Sequence, residues 1–368
     1  MALNARLRSL AANLALATAS VAVVLVLLEA GLRLLGVAPT RFANTARLRD
    51  GHGRLLLDCY PENPAQAFDV DLRDAAVRDR YREAGVARLD AVAARAPFAV
   101  EFRYNALGFR DVEWGPPRPG VRRVIVLGDS FTEGWGVPEK DTYPRVLERL
   151  LGAAEPGRWE VRNAGRRGAD FPALYAAFEE TLPFRPDLLV YGMVLNDVDR
   201  SPRIEAQQVY MNDWILDQEH LSSHPMPPSR SRLLALVEDR VSAWRIDRAS
   251  TAWYHDLYGA PNHDGWLQTE DRLREMDRRL RAQGGRFLVA SWPLLVGLDG
   301  RYPFQEEHDR IARFCTEAGI PRHDLLPALR ARPNRDLIVH PADRHPSTIA
   351  HRLAAESLAP VVRAALAR

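Results

Sequence analysis

Four short stretches carry side chains suited to nucleophilic acyl chemistry. The first is Gly128-Asp129-Ser130-Phe131-Thr132, directly after the apolar run Arg123–Leu127. That run reads as a strand, so Ser130 stands just past a strand's carboxyl end, where a hydroxyl can serve as nucleophile. Gly128 lets the chain turn sharply there. The second, Asn163-Ala164-Gly165-Arg166-Arg167-Gly168, is a glycine-rich turn after the next strand. Such turns expose backbone N–H groups of the kind an oxyanion needs. The third, Asn196-Asp197, follows a third strand and offers a side-chain amide to the same oxyanion. The fourth, Asp343-Arg344-His345-Pro346-Ser347, precedes the last helix. His345 supplies a base near neutral pH. Asp343 can accept from the other ring nitrogen and hold the tautomer, from a loop that brings the carboxylate to the ring. Each stretch also has a plain reading. Asp129 or Ser130 can cap a helix, the glycine turn can be a simple connection, and Asn196-Asp197 can be a turn. His340 and His351 compete with His345 as the base.

Holding these groups together requires a parallel α/β framework. Strands are predicted at Arg123–Leu127, Trp159–Asn163, Asp187–Val194, Arg286–Ser291 and near Pro321–Leu325. Helices are predicted at Tyr143–Leu151, Phe171–Thr181, Gln268–Gln283, Glu306–Ala318 and Thr348–Leu366. Alternation of this kind implies a mainly parallel sheet with right-handed crossovers, and ligands then bind beyond the carboxyl ends of the strands. Residues 199–265 interrupt the alternation as an insertion. Residues 37–120 form a polar, Arg-rich, membrane-proximal extension, with an amphipathic helix expected over Asp71–Ala94 and a break at Pro116, Pro117 and Pro119.

Taken together, the four stretches fall at predicted strand ends in the order Ser, Gly, Asn, Asp-His. In this the sequence resembles the SGNH hydrolases, also called GDSL-type esterases and lipases. Gly128–Gly136 (GDSFTEGWG) looks like the family's first block, and Asn163–Gly168 is similar to its second, with Gly168 at the matching glycine. Leu195-Asn196-Asp197 resembles the third block. Asp343–Glu356 resembles the last, with His351 at a position often histidine there. Asn105–Arg110 (NALGFR) resembles a lead-in of membrane-anchored bacterial members. Two positions depart from the pattern: Val194 stands where glycine is usual, and Asp343 and His345 are two residues apart rather than three.

The resemblance covers about residues 121–368 and implies a flavodoxin-like α/β/α domain that hydrolyses esters without a metal or organic cofactor. Ser130 would attack the acyl carbon, His345 would take and return its proton, and Asp343 would orient His345. The N–H groups of Ser130 and Gly168 and the Asn196 amide would bind the oxyanion. Asp129 and Asp197 would support the blocks they belong to.

The chain has 368 residues, 46% apolar and 27% charged, an ordinary globular balance. Its net charge of +2 gives no field to attract nucleic acid. Lys140 is the only lysine, which leaves little scope for a lysine-based phosphate cradle or Schiff base. Two cysteines, Cys59 and Cys315, exclude a disulfide scaffold and a thiolate zinc cluster, and form one bridge or none. No glycine-rich dinucleotide fingerprint or G-K-[ST] loop follows a strand. Leu10–Leu28 holds 19 residues without charge, about the length that spans a bilayer core. Residues 1–36 are therefore expected to be an uncleaved signal anchor, with a cleaved signal peptide as the rival. Arg6 and Arg8 precede the run and Arg33, Arg41 and Arg47 follow it, so charge does not decide orientation. A short basic amino terminus favours export of the bulk, placing the catalytic domain outside the cytoplasm at a bacterial inner membrane. The remainder carries 47 basic and 47 acidic residues.

The insertion and its border hold Tyr210, Trp214, Trp244, Trp253, Tyr254, Tyr258 and Trp266. These rings either pack the insertion down or line a sugar or acyl subsite. Arg166 and Arg167 either read an anionic substrate or are plain surface residues. The functional expectation is an anchored serine esterase acting on an acyl ester of carbohydrate or lipid. The alternatives are an O-acyltransferase using the same acyl-enzyme, and a non-catalytic tethered binding or assembly protein.

Overall fold

A computed structural model of the chain describes residues 2–35, 46–49, 55–59, 103–209, 211, 230–340 and 343–367. The helix expected over Asp71–Ala94, and Tyr210 and Trp214, lie outside the described residues. Two compact units emerge. One holds helix α1 (Ala2–Leu34) and residues 230–249. Along α1 the large apolar side chains are exposed all round, Leu14 and Val26 among them. It is the one helix among the described residues long and apolar enough to cross a membrane.

The other unit begins with a short antiparallel pair, β1 (Ala46–Arg49) and β2 (Leu55–Cys59). A five-stranded parallel sheet follows. Its elements run β3 (Arg122–Gly128), α2 (Ser130–Glu133), α3 (Tyr143–Ala154), β4 (Trp159–Gly165), α4 (Phe171–Thr181) and β5 (Leu188–Met193). After residues 199–231 come α5 (Arg232–Tyr258), α6 (His263–Ala282), β6 (Arg286–Ser291), α7 (Gln305–Ala318) and β7 (Arg322–Asp324). Strands β8 (Ile338–His340) and β9 (Asp343–Pro346) pair antiparallel before α8 (Thr348–Leu366).

The sheet order is β4-β3-β5-β6-β7, all parallel. Val124–Leu127 and Leu188–Tyr191 are fully buried, as expected of strands covered on both faces. Helix α3 packs with α8, and α4 with α6. Right-handed crossovers place these pairs on opposite faces, giving three layers. The connections leaving β3 and β5 run in opposite directions, so the gap past their carboxyl ends is the switch point where α/β sheets bind ligands.

Several boundaries differ from the sequence reading. Helix α6 starts at His263, five residues ahead of the expected Gln268, inside the stretch read as insertion. Buried Asn262 fixes that start, accepting from the Ser201 N–H at 2.7 Å and donating to the carbonyls of Asp199 (2.8 Å) and Leu257 (2.9 Å). Ala164 and Gly165 are also strand residues, because β4 stays paired with β3 as far as Gly165. The turn of the second block begins only at Arg166. Residues 103–120, read as extension, join the sheet unit, and Phe109 and Arg110 are fully buried there. Cys315 is a free, buried thiol, pushed up to about 11 by burial.

Candidate active site

Strand β3 ends at Gly128, and after the single residue Asp129 the helical turn α2 begins at Ser130. Asp129 makes the elbow: its carboxylate accepts from the Phe131 N–H at 2.8 Å and so caps α2. The elbow lies very close to the sheet. Gly128 is in register with Gly165 on β4 and Gly192 on β5. A Cβ at Gly165 would stand 2.1 Å from the Glu133 nitrogen, and one at Gly192 would stand 2.3 Å from the Tyr143 hydroxyl. This row of three glycines is the floor on which α2 and Tyr143 rest.

Ser130 Oγ lies 2.8 Å from His345 Nε2 across 215 residues of sequence. His345 stands on β9, a strand rather than the expected loop, held by pairing of Pro346 with Ile338. The Ser347 hydroxyl donates to the Asp336 carbonyl at 2.7 Å, and its oxygen caps α8 by accepting from the Ala350 N–H at 3.4 Å. The His345 ring sits among Phe131 and Trp135, with centroids 5.6 and 6.3 Å away. The backbone of Asp343 pairs with His340 on β8. The side chains of Asp343 and His340 lie outside the described residues.

The other candidate donors sit at neighbouring strand ends. The loop after β4 is fastened to the elbow twice: the Arg166 N–H donates to the Gly128 carbonyl at 2.9 Å, and the Arg167 N–H to Glu133 Oε2 at 3.1 Å. Gly168 follows with φ +71°, a left-handed conformation that suits glycine. After β5 the turn is closed by the Asp197 N–H on the Val194 carbonyl (2.9 Å) and the Val194 N–H on Asp197 Oδ2 (3.0 Å). Val194, which replaces the usual glycine, is buried in this turn without positive φ. No acceptor among the described residues takes the N–H of Ser130 or Gly168, or the side-chain amide of half-buried Asn196. Arg200 braces the Asn196 carbonyl at 3.4 Å, with its guanidinium 5.6 Å from the Trp253 ring.

Electrostatics separates the two histidines. The Nδ1 of buried His351 accepts from the Tyr143 N–H at 3.1 Å, so any proton resides on Nε2. Burial, with Arg110 and His345 nearby, pulls its pKa down to about 3. His351 is a neutral strut under the site, stacked on Tyr143, and does not face Ser130. Burial raises the Asp129 carboxyl to about 6, opposed by the Phe131 N–H and by His345. Burial and the charge of Asp129 hold Asp197 well above the usual carboxylate range.

The sequence reading missed the support beneath the elbow. Buried Glu133 accepts from the Tyr104 hydroxyl at 2.8 Å on one oxygen and from the Arg167 N–H on the other. Arg110 donates to the carbonyls of Gly134 (2.6 Å) and Val137 (3.0 Å). Asp111 accepts from the Asn163 N–H at 2.9 Å and pairs with Arg145. The signal lay in the NALGFR lead-in, read as a resemblance rather than as part of the site. Arg166 is tied to this same segment through the Leu107 carbonyl (3.2 Å) and the Phe109 ring, and to the Glu180 carboxylate of α4 (2.5 Å). Trp253, Tyr258 and Trp266 are buried and pack the insertion border, while Trp244 is 60% exposed.

No curated protein matches the chain. Solved structures resemble the chain at low identity. A lipolytic protein of the G-D-S-L family from Desulfitobacterium hafniense DCB-2 is 16% identical with TM-score 0.40, over 65% of this chain and 98% of that one. TesA is 16% identical with TM-score 0.40, over 67% and 100%. A lipase/acylhydrolase from Enterococcus faecalis is 13% identical with TM-score 0.40, over 66% and 96%. Residues 126–353, more than half of the chain, match the profile of the GDSL-like Lipase/Acylhydrolase family. That span holds the Ser130 elbow, the loops after β4 and β5, and His345, and it makes the chain a member of this family and an ester-bond hydrolase.

Proposed function

We propose that the protein is a membrane-anchored serine esterase whose acyl-enzyme forms on Ser130. The contact of Ser130 Oγ with His345 Nε2 carries the reading, because a serine needs an adjacent base to become nucleophilic. His345 takes the Ser130 proton as the hydroxyl oxygen bonds to the acyl carbon, and returns it to the leaving alcohol. Water then attacks the acyl-enzyme by the same route, releasing the acid and regenerating Ser130. Asp343 accepts from the other ring nitrogen of His345 and orients the ring. The N–H groups of Ser130 and Gly168 and the Asn196 amide receive the oxyanion. Helix α1 anchors the enzyme, with the catalytic unit outside the cytoplasm and an acyl ester of a glycan or lipid as substrate.

The test is esterase turnover of the full chain in detergent on p-nitrophenyl acetate and longer acyl esters. Ser130→Ala should abolish turnover and fluorophosphonate labelling, while Asn196→Ala should lower kcat about 100-fold or more with little change in KM. Equal rates for wild type and Ser130→Ala would sink the nucleophile assignment. Acyl product appearing on an added polysaccharide, rather than as free acid, would move the reading to acyl transfer.

A further inference from the structure

Helix α5 begins against α1. The Glu29 carboxylate accepts from three donors around the first turn of α5: the Ser231 hydroxyl, the Arg232 N–H and the Leu233 N–H, each at 2.9 Å. Arg33, one turn along α1, donates to Glu29 at 2.6 Å and to the Arg230 carbonyl at 3.0 Å. A helix start leaves its first N–H groups without intrahelical partners. Here the partner comes from far earlier in the chain, and it fixes the start of α5 beside Glu29, immediately after the uncharged run Leu10–Leu28.

Between the two helices lies an open apolar groove of about 610 Å³, walled by Leu25, Val26 and Ala30 from α1 and Leu233, Leu234 and Val237 from α5. Past the groove the apolar surface of α5 continues. Leu234, Val237, Val241 and Trp244 are all exposed. Their spacings of three, four and three put them on one helix face, about 15 Å long. Charged Glu238, Arg240 and Arg245 flank the face, and Arg248 lies with its guanidinium 5.7 Å from the Trp244 ring.

We propose that this face of α5, Leu233 to Trp244, lies in the interfacial layer of the bilayer that α1 crosses, with lipid acyl chains filling the groove. The proposal rests on α1 being a retained anchor. One wall of the groove belongs to α1 itself, so whatever solvates Leu25 and Val26 also meets Leu234 and Val237. In a bilayer that solvent is lipid. The stripe continues the same surface, and its charged flanks and terminal Trp-Arg pair suit a helix lying at headgroup level. The Glu29 bonds hold α5 at that boundary and make α1 part of the finished protein.

The full chain is tested in phosphatidylcholine–phosphatidylglycerol vesicles on a Cys59→Ser background. A polarity-sensitive fluorophore is attached in turn at Val21→Cys, Val237→Cys, Val241→Cys and Arg240→Cys, and quenched by lipid carrying a spin label near the headgroup or deep in the acyl chain. Fluorophosphonate labelling of Ser130 checks that each variant is folded. The expected result is deep quenching at position 21 and shallow quenching at 237 and 241, at least threefold stronger than at 240. Quenching at 21 with none at 237 and 241 would overturn the interfacial placement and leave the anchor standing, whether water, a second copy or another protein covers the stripe. Absence of quenching at 21, or loss of the amino-terminal segment, would overturn the anchor and the proposal with it.

Discussion

Glu133 closes the helical turn that begins at Ser130, and its carboxylate is taken up by groups from outside that turn. One oxygen takes the Tyr104 hydroxyl and the other takes the Arg167 N–H, the residue before Gly168. It therefore links the elbow bearing Ser130 to the loop that presents the Gly168 amide. Burial raises its pKa, with Tyr104, Arg167 and Arg110 acting to lower it. A donor displaced by a fraction of an ångström loses most of its value to an oxyanion, whereas ground-state binding of the ester depends on it little. Glu133→Ala should lower kcat about tenfold or more with KM nearly unchanged. Glu133→Gln keeps one acceptor oxygen and should recover part of that loss. Tyr104→Phe should have a smaller effect, since the Arg167 link survives. A rise in KM at constant kcat in Glu133→Ala would show that the residue binds substrate instead. The first three stretches could be picked out because each combines a special residue with a strand end, and the fourth because its histidine directly precedes a helix. Glu133, Arg110 and Asp111 were not, because their partners are backbone groups brought near only by the fold.

The elements of the sheet were readable for a different reason. Runs such as Val124–Leu127 and Leu188–Tyr191 are apolar without interruption, which only a strand covered on both faces requires. Strand β9 escaped notice because it is four residues long and its partner β8 is shorter still. The glycine row also depends on register. Gly128, Gly165 and Gly192 come from three strands, and only their parallel alignment shows that they form one surface. This makes glycine-to-alanine substitutions here strongly position-dependent. Gly165→Ala drives a methyl into the backbone of Glu133, which cannot yield as a side-chain tip could. Overpacking of this kind costs about 1–3 kcal/mol, and the displacement would reach Ser130. Gly152 lies within α3 with nothing near its added methyl, so Gly152→Ala should stabilise by up to about 1 kcal/mol. Urea unfolding and esterase assays on both variants check this. A Gly165→Ala protein with wild-type midpoint and turnover would show that α2 does not rest on the sheet as described.

The whole molecule interleaves its two units: the chain leaves α1, builds three of the five sheet strands, returns to α1 at Glu29, and runs down α5 to add the last two. Helix α1 was legible as an uncharged run of bilayer length. Its bonds to α5 were not, since nothing local marks Glu29 as a helix cap for residues some 200 positions later. Stability of the sheet unit is likewise a sum over distant residues, and its pH dependence sets buried His351 against buried carboxyl groups. His351 is held at about 3 in the folded protein, against about 6.5 when unfolded. Between those values the unfolded chain binds the extra proton, so stability is lost as pH falls, by up to about 5 kcal/mol. Asp129 is held at about 6, above its unfolded value near 3.9, so it acts with the opposite sign over most of the same range, by up to about 3 kcal/mol. Asp197 and Glu133, both raised by burial, act with Asp129. In His351→Asn the amide oxygen can still accept from the Tyr143 N–H, but the side chain cannot take a proton. The variant should be less stable at pH 8, where only packing is lost. As pH falls from 6.5 toward 4, its melting temperature should gain on the wild type, because the variant lacks the histidine whose protonation in the unfolded chain costs the wild type stability. Melting curves at half-unit pH steps test this. A constant offset between the two proteins across that range would mean that His351 is not held neutral by the fold.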